Sequence, residues 1–180
     1  MGAAGFWSDR VLEPKRKSRF ILQLGDMDHW VVKTSRKPSF EINVTEHTYL
    51  NHKFYYPGTV SWNAIDVTLV DPLTPDATWT MYKILMASGY NPPLDQNRAE
   101  SSLLSKRNAA NALQMVRLIQ LGPGGVNDQI EQWDLKNAFI SKVDFGELDY
   151  SADDLVDITI TLTYDFAVMT DVHGEAAGTF

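Results

Sequence analysis

Residues 154–169 read DLVDITITLTYDFAVM, and their periodicity decides what kind of fold the chain can adopt. Ile158, Ile160, Leu162, Tyr164, Phe166 and Val168 fall on one side of a period of two. Thr159, Thr161, Thr163, Asp165 and Ala167 fall on the other. Successive side chains of a strand point to opposite faces, so the pattern predicts one long strand with a buried face and a polar face. That polar face could meet bulk water, a partner subunit or the inside of a channel. Alternation alone does not choose among the three.

Further strands are expected upstream. Ala138–Asp144 and Gln129–Leu135 read as a strand pair, and Gly122-Pro123-Gly124-Gly125 as the turn before them. LQMVRLIQL (113–121) has strand character, and Ala99–Ala112 has weaker helical features. ATWTMYKILMASG (77–89) predicts a helix: Asp76 is placed to cap its start, Gly89 to end it, and Trp79, Tyr82, Leu85 and Met86 supply an apolar stripe. Ser18–Leu24 and Trp30–Thr34 are expected strands near the beginning. Between them and the helix lies SFEINVTEHTYLNHKFYYPGTVSWNAIDVTLVD, strand-rich for more than thirty residues. Phe40, Ile42 and Val44 alternate with polar partners, the aromatic run Phe54-Tyr55-Tyr56 follows, Pro57-Gly58 is expected to turn or bend the chain, and Val60–Val70 resumes alternation. The pattern predicts a long hairpin projecting from a compact body. Such a hairpin has no core of its own to bury its apolar residues.

These elements predict a mainly β protein, an antiparallel two-sheet β-sandwich or barrel with one flanking α-helix and the projecting hairpin. At 180 residues the chain is long enough for one domain with a real core and short for two. The expected division is an N-terminal arm (1–17), a sandwich domain (18–171) and a C-terminal tail (172–180). No run of eighteen apolar residues offers a membrane anchor, residues 1–17 lack the apolar stretch of a signal peptide, and zero cysteines exclude disulfides and thiolate chemistry. Asn43-Val44-Thr45 matches a glycosylation sequon only by chance on this reading.

Charge is informative in its distribution. Residues 1–142 carry a balance of +2, whereas residues 143–180 hold nine acids and no Lys or Arg, which gives −7 for the whole chain. Lys15, Arg16, Lys17 and Arg19 form a basic run near the other end. One reading is a solvated arm and a solvated acidic region. The other is self-complementarity, in which one copy's basic arm meets another copy's acids and orients association.

Catalytic chemistry finds no foothold. His29, His47, His52 and His173 lack metal-ligand spacing, GPGG lacks the lysine and hydroxyl of a phosphate loop, and Asp153, Asp154 and Asp157 do not fit an EF-hand. No Gly-x-Ser-x-Gly elbow is present. Neither enzyme activity nor a cofactor is expected. A net charge of −7 also repels nucleic acid instead of holding it.

EPKRKSRFILQL (13–24), KPSFEINVTEHTYLNHKFYYPGTVSWNAIDVTLVDP (37–72) and YKILMASGY (82–90), in that order, resemble the tail tube protein of contractile-tailed bacteriophages. The resemblance spans about residues 13–170. It implies a structural virion protein: six copies form a ring, one sheet of each copy joins its neighbours around a channel, and rings stack into a tube inside the tail sheath. It further implies baseplate and tail terminator proteins at the tube ends, DNA passing without specific binding, and assembly in the host cytoplasm. An anionic wall suits that passage. Type VI secretion and extracellular contractile injection tubes share the plan, so an effector-carrying tube is the alternative, and a monomeric binding module with an aromatic groove is a third reading. The expected contacts between copies are the basic run (Lys15, Arg16, Lys17, Arg19) and the hairpin tip (Glu46, His47, Tyr49, Asn51, His52, Phe54, Tyr55, Tyr56).

Overall fold

The structure, a computed structural model, describes residues 14–25, 27–92, 103–151 and 153–171. Most of the N-terminal arm, His173 and the C-terminal tail lie outside the described residues. Among the described residues ten strands run in chain order: β1 (Phe20–Leu24), β2 (Val32–Ser35), β3 (Phe40–Tyr49), β4 (His52–Trp62), β5 (Ile65–Val70), β6 (Val116–Gly122), β7 (Gly125–Lys136), β8 (Phe139–Asp144), β9 (Asp157–Thr163) and β10 (Phe166–Asp171). Helices α1 (Ala77–Ala87) and α2 (Lys106–Leu113) lie between β5 and β6. One four-stranded sheet has the order β1-β6-β7-β10, a second β2-β5-β9-β8, and β3 and β4 pair with each other alone. Every pairing is antiparallel.

The two sheets face each other across one core. Leu22, Leu24, Val116, Leu118 and Leu135 enter it from the first sheet, and Ile65, Val67, Leu69, Ile158, Ile160 and Leu162 from the second. These are the alternate, mostly β-branched or leucine positions that a half-buried strand needs. Helices α1 and α2 add Ala77, Met81 and Leu113.

The expected mainly β sandwich with its projecting hairpin is therefore present, and several details differ. Residues 158–168 are not one strand. β9 ends at Thr163, and β10 begins at Phe166 in the other sheet. Asp165 fixes the corner: its N–H donates to the Lys136 carbonyl (3.0 Å), and its carboxylate accepts from Lys106 Nζ and Asn137 Nδ2, each at 2.7 Å. Crossing the corner inverts the inward set, so Tyr164 is buried whereas Phe166 is exposed. β7 and β8 are not a pair either; β7 lies between β6 and β10, and β8 pairs with β9. The strand expected from residue 113 starts at Val116, because Leu113 ends α2. That helix makes two flanking helices among the described residues, where one is expected.

α1 has the anticipated limits. The Asp76 carboxylate accepts from the Trp79 N–H at 2.7 Å, and Gly89 takes φ +107° just past the end. Asp71 adds a second anion there, accepting from the N–H groups of Ala77 (3.1 Å) and Thr78 (3.2 Å). The buried side is Ala77 and Met81 with Ile84 packed against the core, not the expected stripe. Trp79 instead stacks on Tyr82 on the outside (centroids 5.9 Å apart), with Lys83 over its ring.

Candidate functional site

β3 and β4 are exposed along their whole length except at Trp62. At about 3.4 Å per residue, a ten-residue strand carries the tip roughly 30 Å from the root. A lone two-stranded ribbon is marginal in water, so the root must be held. Phe40 packs on Trp62 (5.3 Å between centroids), and Trp62 on the core residue Tyr164 (6.1 Å). The Asn63 N–H donates to the Ser39 carbonyl at 2.9 Å. Burial raises the pKa of the Tyr164 phenol.

Pro57-Gly58, expected to turn or bend the chain, does not reverse it but carries an irregularity within β4. The turn is Leu50-Asn51, with Leu50 at φ +52°, and Pro57-Gly58 lies within β4. Ile42 pairs with Val60 and Val44 with Pro57, so Gly58 and Thr59 together oppose Asn43 in a bulge. The Asn43 amide donates to the Thr59 hydroxyl (3.0 Å). A Cβ on Gly58 would lie 3.0 Å from the Asn43 carbonyl oxygen, which explains the glycine.

The bulge changes which side is apolar. Near the root, Phe40, Ile42, Val44, Pro57, Val60 and Trp62 share one face, opposite Glu41, Asn43, Thr45 and Ser61. Beyond the bulge, His47, Tyr49, His52, Phe54 and Tyr56 lie on the second face, and the first carries Tyr55 with the Glu46–Lys53 ion pair (2.9 Å). If every residue of β4 alternated without a bulge, Phe54, Tyr56, Val60 and Trp62 would share one face. The hairpin thus presents apolar surface on opposite sides at its two ends. Phe40, Val44, Tyr49, Leu50, Tyr55 and Val60 are each more than half exposed. Exposed apolar area on this scale marks an interaction surface.

The sequence-expected contact residues divide into two groups. Those of the tip, Glu46 to Tyr56, lie together on the hairpin with Asn51 in its turn. Those of the basic run sit against the first sheet. Lys15 ion-pairs with Glu131 of its own chain, and the Arg16 and Arg19 carbonyls accept from Gln120 Nε2 at 2.9 and 2.5 Å. Lys17 is exposed.

Glu131 is a feature that the sequence reading missed. Only 5% exposed, it also accepts from Lys37 Nζ (2.8 Å) and Trp133 Nε1 (2.5 Å). Burial alone would raise its pKa, but the two ammonium groups and the indole N–H hold it at about 2. Lys37 lies in the loop entering β3, so one carboxylate ties the arm and the hairpin's approach to the same sheet. In β7 it shares the inward face of Trp133 and Leu135, and a charge at such a position is the local signal that could have marked it.

A groove of about 960 Å³ between α1, α2 and β8, lined by Met81, Leu85, Leu104, Phe139, Val143 and Phe145, is mostly apolar. Among the described residues no group of three His, Cys, Asp or Glu could hold a metal. No helix there is long and apolar enough to cross a membrane.

No family model matches the chain, and no curated protein matches it. Solved structures do. A chain of the anti-feeding prophage tube terminating cap superposes with a TM-score of 0.65 at 18% identity, covering 89% of this chain and 93% of its own. A chain of the six-fold symmetrised anti-feeding prophage baseplate gives 0.64 at 13%, covering 89% and 97%. A chain from the extended sheath–tube complex of the PVC extracellular contractile injection system gives 0.62 at 16%, covering 88% and 93%. At these identities the likeness is one of fold, and it extends over nearly the whole of each chain.

Proposed function

We propose that this chain is a structural protein that closes into six-membered rings and stacks them as the inner tube of a contractile tail. The observation that carries this reading is the hairpin: a ribbon with apolar surface on both sides, on a sandwich whose likenesses come from such tails. Sister copies supply the missing cover, and a ring satisfies the edge strands that each sheet leaves without a strand partner among the described residues. The hairpin tip, Glu46 to Tyr56, contacts the next ring, and Lys17 with its neighbours steers copies together. The protein performs no chemistry; its role is geometric and electrostatic.

In the phage form of this reading, DNA passes down the tube without specific binding, a tail sheath surrounds it, and baseplate and terminator proteins close its ends. A net charge of −7 supports passage, because phosphates do not adhere to an anionic protein. The second form is an extracellular contractile injection tube carrying effectors, favoured by the prophage and injection-system sources of the structural likenesses. Neighbouring genes separate the two: capsid and terminase genes accompany a phage tube, effector genes an injection tube.

Negative-stain electron microscopy of the purified protein tests assembly directly. Rings or tubes are the expected result. A strictly monomeric species at high concentration and moderate salt would sink the proposal.

A further inference from the structure

The two sheets differ in the faces they turn away from the core. On the second sheet the outward set runs Asp66 and Thr68 on β5, Thr159, Thr161 and Thr163 on β9, and Ser141, Lys142 and Asp144 on β8. Large apolar side chains occur outward only at strand ends, at Val70 and Phe139. The short groups satisfy one another sideways. Thr161 Oγ1 donates to Asp66 Oδ1 (2.8 Å), Thr163 Oγ1 to Ser141 Oγ (2.9 Å), and Ser141 Oγ to the Thr161 carbonyl (3.1 Å). At one margin Lys33 pairs with Asp157 at 2.5 Å.

The outward face of the first sheet has different chemistry. Phe166 is exposed on it and Ile21 and Val168 are half-buried, whereas Ile119 opposite Ile21 is already covered by its own chain. Arg117, Asp134 and Lys136 cross it as an ion cluster, with Arg117 to Asp134 at 2.7 Å. Apolar groups beside a guanidinium resemble the composition of a protein interface. A lattice of hydroxyls and short carboxylates does not. It buries almost no apolar area against a partner, Asp66, Ser141, Thr161 and Thr163 are already partnered, and it stays hydrated at little cost.

A wall of two stacked sheets has only two broad faces. We infer that, in the tube proposed above and resting on that reading, the second sheet faces the lumen and the first sheet faces outward. Threonine and serine then form the channel's surface, with Asp66 and Asp144 against Lys142, a hydrated face that holds neither apolar nor phosphate-bearing cargo. The hairpin continues that layer, since it connects β2 to β5, both of the second sheet. The root half of its polar face (Asn43, Thr45, Thr59, Ser61) carries the same chemistry.

The chain has no cysteine, so Thr159→Cys introduces a single thiol at an exposed position of the second sheet. Tubes of this variant are treated with biotin maleimide, then with streptavidin-coated gold particles wider than the lumen measured on the same grids. Free reaction with the small maleimide and gold confined to tube ends is the expected result. Gold along the walls overturns the assignment by placing this sheet outside. Protection from maleimide on assembly overturns it by placing the sheet between copies. Should Thr159→Cys fail to assemble, Asp66→Cys on the adjacent strand gives the same readout. Absence of rings or tubes from the unmodified protein removes the tube reading and this inference with it, whereas tubes with gold-coated walls remove the lumen assignment alone.

Discussion

At the scale of single residues, Glu131 concentrates the molecule's electrostatic risk. A buried carboxylate is tolerated here because Lys15, Lys37 and Trp133 complete its hydrogen bonds. Its folded pKa of about 2 lies below the ordinary 4.5. A depressed carboxylate pKa contributes stability that is fully present above pH 4.5 and disappears as pH falls toward 2. Glu131→Gln keeps the shape and removes the charge, leaving two lysines without their anion. Denaturant melts at pH 7 are expected to show a loss of roughly 2–3 kcal/mol, the scale of such linkage and of broken buried pairs. The gap from the unmodified protein should narrow below pH 4.5 and close near pH 2. A gap independent of pH over that range would show that the loss comes from packing and not from the carboxylate charge.

At the scale of elements, the hairpin depends on its bulge. Inserting one threonine after Asn43 gives Gly58 and Thr59 separate partners and straightens β4, which moves Phe54 and Tyr56 onto the face of Val60 and Trp62. The Phe40–Trp62–Tyr164 root lies outside the change, so the body should melt within a few degrees of the unmodified protein. Tube formation should be lost, because one of the two apolar patches is then on the wrong side. Sedimentation of the variant beside the unmodified protein checks this, and equal yields of large assemblies would dismiss the two-sided arrangement. The same bulge marks how far the sequence could be read. Alternation located the hairpin strands and the start of β9, and the cap residues Asp76 and Gly89 the limits of α1, since each depends on side chains close along the chain. It could not reveal that Gly58 and Thr59 share one partner, because that depends on Asn43 of the opposite strand. Nor could it see the corner at Asp165, whose grip comes from Lys106, 59 residues away. Phe166 and Val168 continue the apolar rhythm of Ile158 to Tyr164, which hides the change of sheet. The helix stripe failed for a related reason: Trp79 and Tyr82 are large enough to look like core, yet they satisfy each other outside. Of the candidate site, the projecting hairpin was legible in the sequence and the Glu131 clasp was not.

At the scale of the whole molecule, the lopsided charge takes on a narrower meaning once Lys15 is seen to pair within its own chain. Reversing all of Lys15, Arg16, Lys17 and Arg19 would mix two effects, since a glutamate at position 15 would face Glu131 and unsettle the fold. Lys17 separates them, being exposed and remote in sequence from the acids beyond residue 142. If the arm steers copies together, Lys17→Glu should leave the subunit's stability within about 0.5 kcal/mol, as surface substitutions usually do. It should slow tube growth at low salt, where fields between exposed charges reach farthest. Near 0.15 M the screening length falls to about 8 Å, and the difference from the unmodified protein should shrink. Light scattering during assembly across a salt series measures both behaviours. Steering by the arm predicts a mutational effect that fades as salt rises. An effect equally large at every salt concentration would mean that Lys17 makes a short, buried contact, and no effect at any concentration would leave the basic run as the strap that holds residues 14–19 to β6 and β7.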